Sequence, residues 1–312
     1  MNPLLEKTEY FLVCGLIRFL KLFPECLTVS IFRLFGALIF IFAARRRRLT
    51  LTNLQIAFPE KSDSERFRIA WRAFLNMAEF TGDSFLLMAG KLTPEKIMAR
   101  VDEGDVEKYR KLREPVKTGV IALTGHLGNW ELLGNYAAIR GFPLRVIARK
   151  GTNQLIDEKI IIPMRTRFGN RIFYKENAML NAVKALKRNE TTSFLIDQKI
   201  NIREGVPVQF FGQEVLAVAS CATLQLRFNP LVVSSFMIKT GRRRYKWIIS
   251  DPIEWIDDGS PQEEQIRKLT QLHQSVIEKT IRAYPDQWFW MHNRFRLADD
   301  RTRRRRGRRN LK

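Results

Sequence analysis

The stretch GVIALTGHLGNWELLG, residues 119–134, decides how the rest of the chain is interpreted. It begins with a short apolar run between two glycines, which is typical of a buried strand. From about Asn129 the apolar residues change to helical spacing, and Gly128 lies at the change. The stretch therefore predicts a strand, a tight turn and a helix in succession.

Strands and helices continue to alternate after this stretch, which predicts an α/β fold with a mostly parallel central sheet flanked by helices. Apolar runs predict strands, and amphipathic spacing predicts the helices between them. Two strands joined by a turn at Thr240 and Gly241 are also predicted, and they would make one edge of the sheet antiparallel. Further strands are predicted at 144–149, 171–174 and 192–197. One long helix is predicted to begin at Ser62, and three more are predicted at about 157–168, 177–188 and 262–283.

The first 48 residues are predicted to form a membrane-anchoring segment. Leu27 to Ala44 is apolar apart from Arg33, which is about the shortest length that spans a bilayer. Arg45 to Arg48 follow, and by the positive-inside rule they place the rest of the chain in the cytoplasm. Residues 10–23 have the pattern of a helix lying at an interface. A buried amphipathic helix pair is the alternative interpretation.

The charge balance predicts an anionic partner. The 312 residues include 54 Lys and Arg against 32 Asp and Glu, a formal net charge of +22. Nucleic acid, an acidic membrane surface and phosphorylated substrates all fit this charge, and charge alone does not choose among them.

Cysteine usage argues for a reducing compartment and against structural zinc. The three residues, Cys14, Cys26 and Cys221, are an odd number, and none lies in a C-x-x-C pattern or a Cys/His cluster. We therefore predict no metal site. No cofactor is expected either.

His126 and Glu131 are the candidate chemical pair of the opening stretch. On a continuous helix they would lie about 140° apart, but a turn at Gly128 would put His126 after the strand and Glu131 in the first helical turn. Glu131 could then orient the imidazole, while the other ring nitrogen takes a proton from a hydroxyl. On spacing alone, a structural histidine at the end of a strand is slightly favoured over a chemical one. Zinc is disfavoured, because a third ligand would have to be the distant His273 or His292.

Five ordered blocks resemble the bacterial lipid A biosynthesis acyltransferases, the late acyltransferases that add secondary acyl chains to a Kdo-bearing lipid A precursor. The matching blocks are NLQIAFPEKSDSERFRIA (53–70), TGHLGNWELLG (124–134), VIARKGTNQLID with RTRFGNRIF (146–173), FLIDQKINIREGVPVQFFG (194–212) and YPDQWFWMHNRFR (284–296). The resemblance implies the glycerolipid acyltransferase-like fold, whose motif is H-x-x-x-x-D/E.

The resemblance also implies roles for individual residues. His126 would be the general base and Glu131 its partner. Arg149 would hold the thioester oxygen or a substrate phosphate. Residues expected beside the substrate because they match family blocks are Arg165, Asp197 and Gln198.

By the same resemblance, the chain is expected to be an O-acyltransferase that takes its acyl group from acyl carrier protein. The acceptor would be an anionic glycolipid, and the enzyme would lie on the cytoplasmic face of the inner membrane. The domain bounds would be 1–48 for the anchor and 49–298 for the acyltransferase domain. Composition rather than resemblance predicts that 299–312, which lie outside the family pattern, form a disordered basic tail. Two alternatives are an acyltransferase acting on another lipid, such as a lysophospholipid or glycolipid, and a basic nucleic-acid-binding protein, although we expect no nucleic acid.

Overall fold

The computed structural model describes residues 3–200 and 205–295, with nine strands among them. Seven strands form one central sheet and two form a separate antiparallel hairpin. The strands are β1 (Val101–Asp102), β2 (Val120–Thr124), β3 (Leu144–Ala148), β4 (Arg171–Tyr174), β5 (Thr191–Leu195), β6 (Gly205–Phe210), β7 (Gln213–Val218), β8 (Leu231–Gly241) and β9 (Arg244–Ile249).

The central sheet has the order β1-β9-β8-β2-β5-β3-β4, and it is parallel except where β9 runs antiparallel to β8. This confirms the predicted α/β class and the mostly parallel sheet. The hairpin β6–β7 was not predicted. The turn between β8 and β9 lies at Arg242 and Arg243 rather than at Thr240 and Gly241, because β8 continues to Gly241 and the left-handed conformation falls on Arg243, with φ of 55°.

Helices cover both faces of the sheet. A π-helical turn, Asp157–Ile161, joins α8 to α9, so that residues 154–166 form one helical segment. The helices are α1 (Pro3–Lys21), α2 (Glu25–Phe42), α3 (Ala44–Ala57), α4 (Asp63–Met88), α5 (Pro94–Met98), α6 (Val106–Arg113), α7 (Trp130–Ile139), α8 (Gln154–Ile156), α9 (Ile162–Thr166), α10 (Ala178–Lys187), α11 (Ser220–Phe228) and α12 (Gln262–Ala283).

The apolar run of β2 is buried on both sides. Consecutive strand residues point to opposite faces, so Ile121 and Leu123 join one hydrophobic cluster while Val120 joins the other. Because both faces are covered, the strand is continuously apolar rather than alternating. The carboxyl end of β2 is therefore fixed between the hydrophobic clusters on the two faces of the sheet.

The predicted helix starting at Ser62 is confirmed as α4. The Ser62 side chain accepts from the Glu65 backbone N–H, and the Glu65 carboxylate accepts from the Ser62 backbone N–H at 2.8 Å. This capping box satisfies two of the donors that a helix start leaves free. The predicted boundary at residue 48 falls within α3, and the predicted tail 299–312 lies outside the described residues.

The apolar helix α2 packs antiparallel along α4. A Cβ built on Gly36 would lie 2.6 Å from Cβ of Ala78, so the two helices approach closely at this glycine. Phe40 packs edge-to-face against Phe74. Arg33, the one charge inside the predicted apolar stretch, donates to Oε2 of the buried Glu79 at 2.8 Å. One face of α2 is therefore packed against α4 and belongs to the folded domain.

Candidate active site

The carboxyl ends of β2, β3 and β5 border one cavity of about 550 Å³. Open α/β sheets commonly bind their ligands at this edge. The cavity is lined by five of the six residues singled out in the sequence: His126, Glu131, Arg149, Arg165 and Gln198.

The sheet register brings His126 and Asp197 together. Thr124 is paired with Leu195 at the ends of β2 and β5, and the N–H of Ile196 donates to the carbonyl of Thr124 at 3.0 Å. His126 and Asp197 each lie two residues beyond this pair. Two residues along neighbouring parallel strands cover the same distance, so the two side chains meet.

The structure gives His126 a different partner from the predicted one. Nδ1 of His126 lies 3.0 Å from Oδ1 of Asp197, and the His126 backbone N–H donates to Oδ2 at 2.8 Å. Glu131 is carried by the turn onto α7, where it pairs with Arg165. Asp197 was predicted to contact substrate, but it is buried behind His126, with 1% of its surface exposed. Asp197 therefore occupies the orienting position that we had predicted for Glu131.

The contact with Asp197 sets the protonation of the imidazole. A carboxylate is an acceptor only, so Nδ1 of His126 carries the proton and donates it. In the neutral ring Nε2 then has a free lone pair. Within residues 3–200 and 205–295, Nε2 has no hydrogen-bond partner, and the ring borders the cavity with 22% of its side chain exposed. This is the geometry of a general base.

The charges of the pair stabilise each other. Burial by itself lowers the pKa of His126, but the negative charge and hydrogen bond of Asp197 outweigh it and raise that pKa above its ordinary value. Burial by itself raises the pKa of Asp197, yet the charge of His126 and the donors around the carboxylate lower it to about 2. Asp197 is therefore ionised at neutral pH and favours the imidazolium form of His126.

Trp288 is a site residue that the sequence did not reveal. Trp288 is buried, and its indole Nε1 donates to Oδ2 of Asp197 at 2.8 Å. In addition, the Phe289 backbone N–H donates to the His126 carbonyl at 3.0 Å. The aromatic block near the end of the chain therefore holds both members of the pair. Its only sequence signal was its place among the family-like blocks.

Two glycines make the turn possible. A Cβ on Gly125 would lie 2.9 Å from Cγ of Asp197. Gly128 has φ of +64°, and a Cβ there would lie 2.1 Å from the carbonyl oxygen of Met237. Any other residue at Gly128 would meet both backbone strain and this clash. The predicted turn at Gly128 is confirmed.

Glu131 and Arg165 form an ion pair at the cavity wall. Nε of Arg165 donates to Oε2 of Glu131 at 3.0 Å, and Nη2 donates to Oε1. The two-pronged contact fixes the guanidinium plane. Arg165 lies on α9 and Glu131 in the first turn of α7, so the pair ties together two helices that border the cavity.

The other two predicted residues flank the same cavity. Arg149 follows β3 and is exposed, while Gln198 follows Asp197 and is partly buried. Most of the remaining wall is hydrocarbon, from side chains that include Leu133, Val146, Ile147, Met179, Phe194, Ile196 and Ile200. The cavity thus combines an apolar interior with cationic and hydrogen-bonding groups.

The other histidines lie outside this cavity wall. His273 is buried, hydrogen-bonded through Nε2 to Gln225 at 2.7 Å, and burial lowers its pKa to about 3. Burial also lowers the pKa of His292. In the part of the chain that the structure describes, no group of three or more His, Cys, Asp or Glu side chains is arranged to hold a metal ion.

Comparison with known proteins gives a consistent result over nearly the whole chain. The family described as bacterial lipid A biosynthesis acyltransferase matches residues 2–297. Lipid A biosynthesis lauroyltransferase of Escherichia coli (strain K12) is 24% identical over 267 residues, which cover 85% of this chain and 84% of that protein. Lipid A biosynthesis acyltransferase 2 of Shigella flexneri is 22% identical over 287 residues, covering 89% and 87%. Lipid A biosynthesis palmitoleoyltransferase of Escherichia coli (strain K12) is 23% identical over 264 residues, covering 84% and 82%.

Proposed function

Because the chain belongs to the bacterial lipid A biosynthesis acyltransferases, we propose that it transfers a fatty acyl chain from acyl-acyl carrier protein to a hydroxyl of a lipid A precursor. It is an acyltransferase of lipopolysaccharide biosynthesis. The observation that carries the proposed chemistry is the His126 ring, held through Nδ1 by the buried Asp197 at the wall of a largely apolar cavity.

The proposed reaction needs a base and no enzyme nucleophile. Nε2 of His126 takes the proton of the acceptor hydroxyl as that oxygen attacks the thioester carbonyl. The tetrahedral intermediate then collapses, the C–S bond breaks, and the imidazolium returns its proton to the departing thiolate. Asp197 stays ionised throughout and stabilises the imidazolium between the two steps.

Arg149 and Arg165 are the proposed electrostatic groups. The carbonyl oxygen gains negative charge in the tetrahedral intermediate, and a fixed cation stabilises that charge more than it stabilises the ground state. Arg165 is held in one orientation by Glu131. Arg149 is exposed at the end of β3 and suits either the oxyanion or a phosphate of the acceptor. Gln198 completes the polar part of the wall as a hydrogen-bonding group.

The apolar part of the cavity suits a fatty acyl chain. Its volume of about 550 Å³ falls in the usual range for small-molecule sites. Burying hydrocarbon there is favourable by about 0.8 kcal/mol per methylene. The net charge of +22 favours both proposed anionic substrates, since acyl carrier protein is acidic and lipid A precursors carry phosphates.

Purified protein in detergent provides the test of this function. We expect transfer of labelled acyl groups from acyl carrier protein to a lipid A precursor, with little transfer to a lysophospholipid. His126→Ala protein is the control for contaminating activity. Preference for the lysophospholipid would contradict the acceptor assignment, and transfer from acyl-coenzyme A alone would contradict the donor assignment.

We further propose that α1 and α2 lie in the cytoplasmic leaflet of the inner membrane without crossing it. Among the described residues, α2 is the one helix that is long and apolar enough to span a bilayer. However, its inner face is packed along α4, where Arg33 meets the buried Glu79. A spanning α2 would carry these charges and the polar residues of α4 into hydrocarbon, which is costly.

The outer faces of these helices support the in-plane arrangement. They expose large apolar side chains, while the flanking Arg18, Lys21, Arg45, Arg46 and Arg48 are also exposed. An apolar face with a basic rim is typical of helices embedded in an anionic interface. The exposed apolar residues of α1, of α2 and of the short link between them are Leu4, Leu5, Phe11, Leu12, Leu16, Phe19, Leu22, Leu27, Leu34, Phe35, Leu38, Ile39, Ile41 and Phe42.

The in-plane arrangement predicts that both ends of the chain lie on the same side of the membrane. Protease-cleavable tags at the N-terminus and the C-terminus should both be cut in inside-out vesicles and both be protected in spheroplasts. The C-terminal tag is the internal reference for the side of the catalytic domain. Cleavage of the N-terminal tag alone in spheroplasts would show that α2 crosses the bilayer.

A further inference from the structure

Asp83 lies behind residues 125–131, here called the catalytic turn, and does not border the cavity. It is on α4, its surface is 0% exposed, and its carboxylate receives hydrogen bonds from three different parts of the chain. Nδ2 of Asn129 donates to Oδ2 at 3.2 Å, the hydroxyl of Tyr245 donates to the same oxygen, and Nη1 of Arg100 donates to Oδ1 at 3.3 Å.

Asn129 connects this carboxylate to the catalytic turn. Its Oδ1 accepts from the Leu132 backbone N–H at 3.1 Å, which caps the start of α7. Its own backbone N–H donates to the Met237 carbonyl at 2.8 Å. Asn129 lies three residues after His126 and two before Glu131. The position of Asn129 therefore determines where both of these residues lie at the start of α7.

We propose that Asp83 is a positioning residue of the acyltransferase site, acting through its hydrogen bond with Asn129 on the turn that carries His126 and Glu131. The proposal rests on the proposed roles of His126 and Glu131. The backbone bond to Met237 ties the start of α7 to β8, and the side-chain bond to Asp83 ties it to α4, so the turn is held from two sides. Misplacement of reacting groups by about 1 Å can cost about 100-fold in rate.

Stability alone does not account for this carboxylate. Burying ionised groups carries a desolvation cost that their attraction often fails to exceed. Burial raises the pKa of Asp83 to about 7, and the nearby Glu79 acts in the same direction. A carboxyl group whose pKa is raised this far is only partly ionised near neutral pH and contributes little to folding as a charge, whereas the hydrogen bonds that it accepts from Asn129 and Tyr245 fix geometry.

Glu79 provides a matched control one helical turn away. It is also 0% exposed and also bonded to cations, with Nζ of Lys239 at 2.6 Å and Nη1 of Arg33 at 2.8 Å. None of its hydrogen bonds reaches the segment 125–131. Glu79→Ala and Asp83→Ala therefore both remove a buried carboxylate from α4, and only the second releases the catalytic turn.

The test compares kcat and KM of purified full-length variants, corrected for folded fraction. Asp83→Ala is expected to lower kcat about 10- to 100-fold with KM nearly unchanged, while Glu79→Ala stays close to wild type. Asp83→Asn should restore most of kcat, because its amide oxygen at the Oδ2 position still accepts from Tyr245 and Asn129. The amide NH₂ then faces Arg100, and the bond lost there does not reach the catalytic turn. Recovery by this neutral variant distinguishes a hydrogen-bond role from a charge role.

Asn129→Ser completes a double-mutant cycle. Serine keeps the helix cap, but its shorter side chain lacks the amide N–H that reaches Asp83, so Asn129→Ser should lower kcat as Asp83→Ala does. Combining the two should lower kcat no further than the stronger single change. Fully additive losses would overturn the proposal, as would equal kcat for Asp83→Ala and Glu79→Ala.

Hydrogen exchange gives a readout that does not depend on activity. Amides in the first turn of α7 should exchange faster in Asp83→Ala than in Glu79→Ala or wild type. Unchanged exchange there would overturn the positioning role even if kcat falls. Faster exchange with unchanged kcat would also overturn it. The proposed function and the proposed role of Asp83 fail in different ways. Full activity of His126→Ala in the same assay would contradict the proposed chemistry, whereas full activity of Asp83→Ala with an inactive His126→Ala would contradict only the role of Asp83.

Discussion

Replacement of His126 by alanine is expected to lower kcat for acyl transfer by about 10²- to 10⁴-fold, the usual contribution of a general base. The expectation follows from the free Nε2 lone pair at the cavity wall and the absence of another proton acceptor in the proposed mechanism. The measurement is the rate of labelled acyl transfer from acyl carrier protein under saturating substrates.

The loss should occur without loss of the fold or of membrane binding. The His126 side chain makes its hydrogen bond to Asp197, while the backbone bonds of the turn are independent of the side chain. His273→Ala is not a suitable control, because His273 is buried in the core. Membrane fractionation and the thermal unfolding midpoint of the His126→Ala protein serve instead. Retention of most of the activity would exclude His126 as the base.

Replacement of Asp197 by asparagine is expected to reduce kcat by a similar factor, about 10²- to 10⁴-fold, through the wrong tautomer of His126. Oδ2 of Asp197 accepts from the His126 backbone N–H and from the Trp288 indole, both at 2.8 Å. These two donors require the amide oxygen at that position. The amide NH₂ then faces Nδ1 and donates to it, which places the imidazole proton on Nε2, where a base needs a lone pair.

The pH profile separates the roles of the two carboxylates. A base must be neutral, so the activity of the wild type should rise with pH through an apparent pKa above the ordinary value for histidine, since Asp197 and Glu131 both raise the pKa of His126. Glu131→Gln, an isosteric control, should move this limb to lower pH and keep measurable activity. If Glu131→Gln abolishes activity while Asp197→Asn remains active, Glu131 is the functional partner, as the motif alone suggested.

Much of the site could be predicted because its signals are local. The strand, the turn and the start of α7 follow from adjacent residues, and Gly128 adopts the positive φ that its place between strand and helix suggested. The strand-end position of Arg149 follows equally from the apolar run before it. The turn of the β8–β9 hairpin was misplaced by two residues, since Arg242 and Arg243 carry no glycine signal and only the strand register locates it.

The α/β class, the strand, turn and helix that carry His126 and Glu131, and the resemblance to the family all follow from residues close together in the sequence. Three contacts are visible in the folded chain alone: Asp197 rather than Glu131 meets His126, Trp288 donates to Asp197, and α2 packs on α4. The contact of His126 with Asp197 arises from the parallel crossover. It places strand ends that are distant in sequence side by side, and a motif read along one segment contains no record of the neighbouring strand.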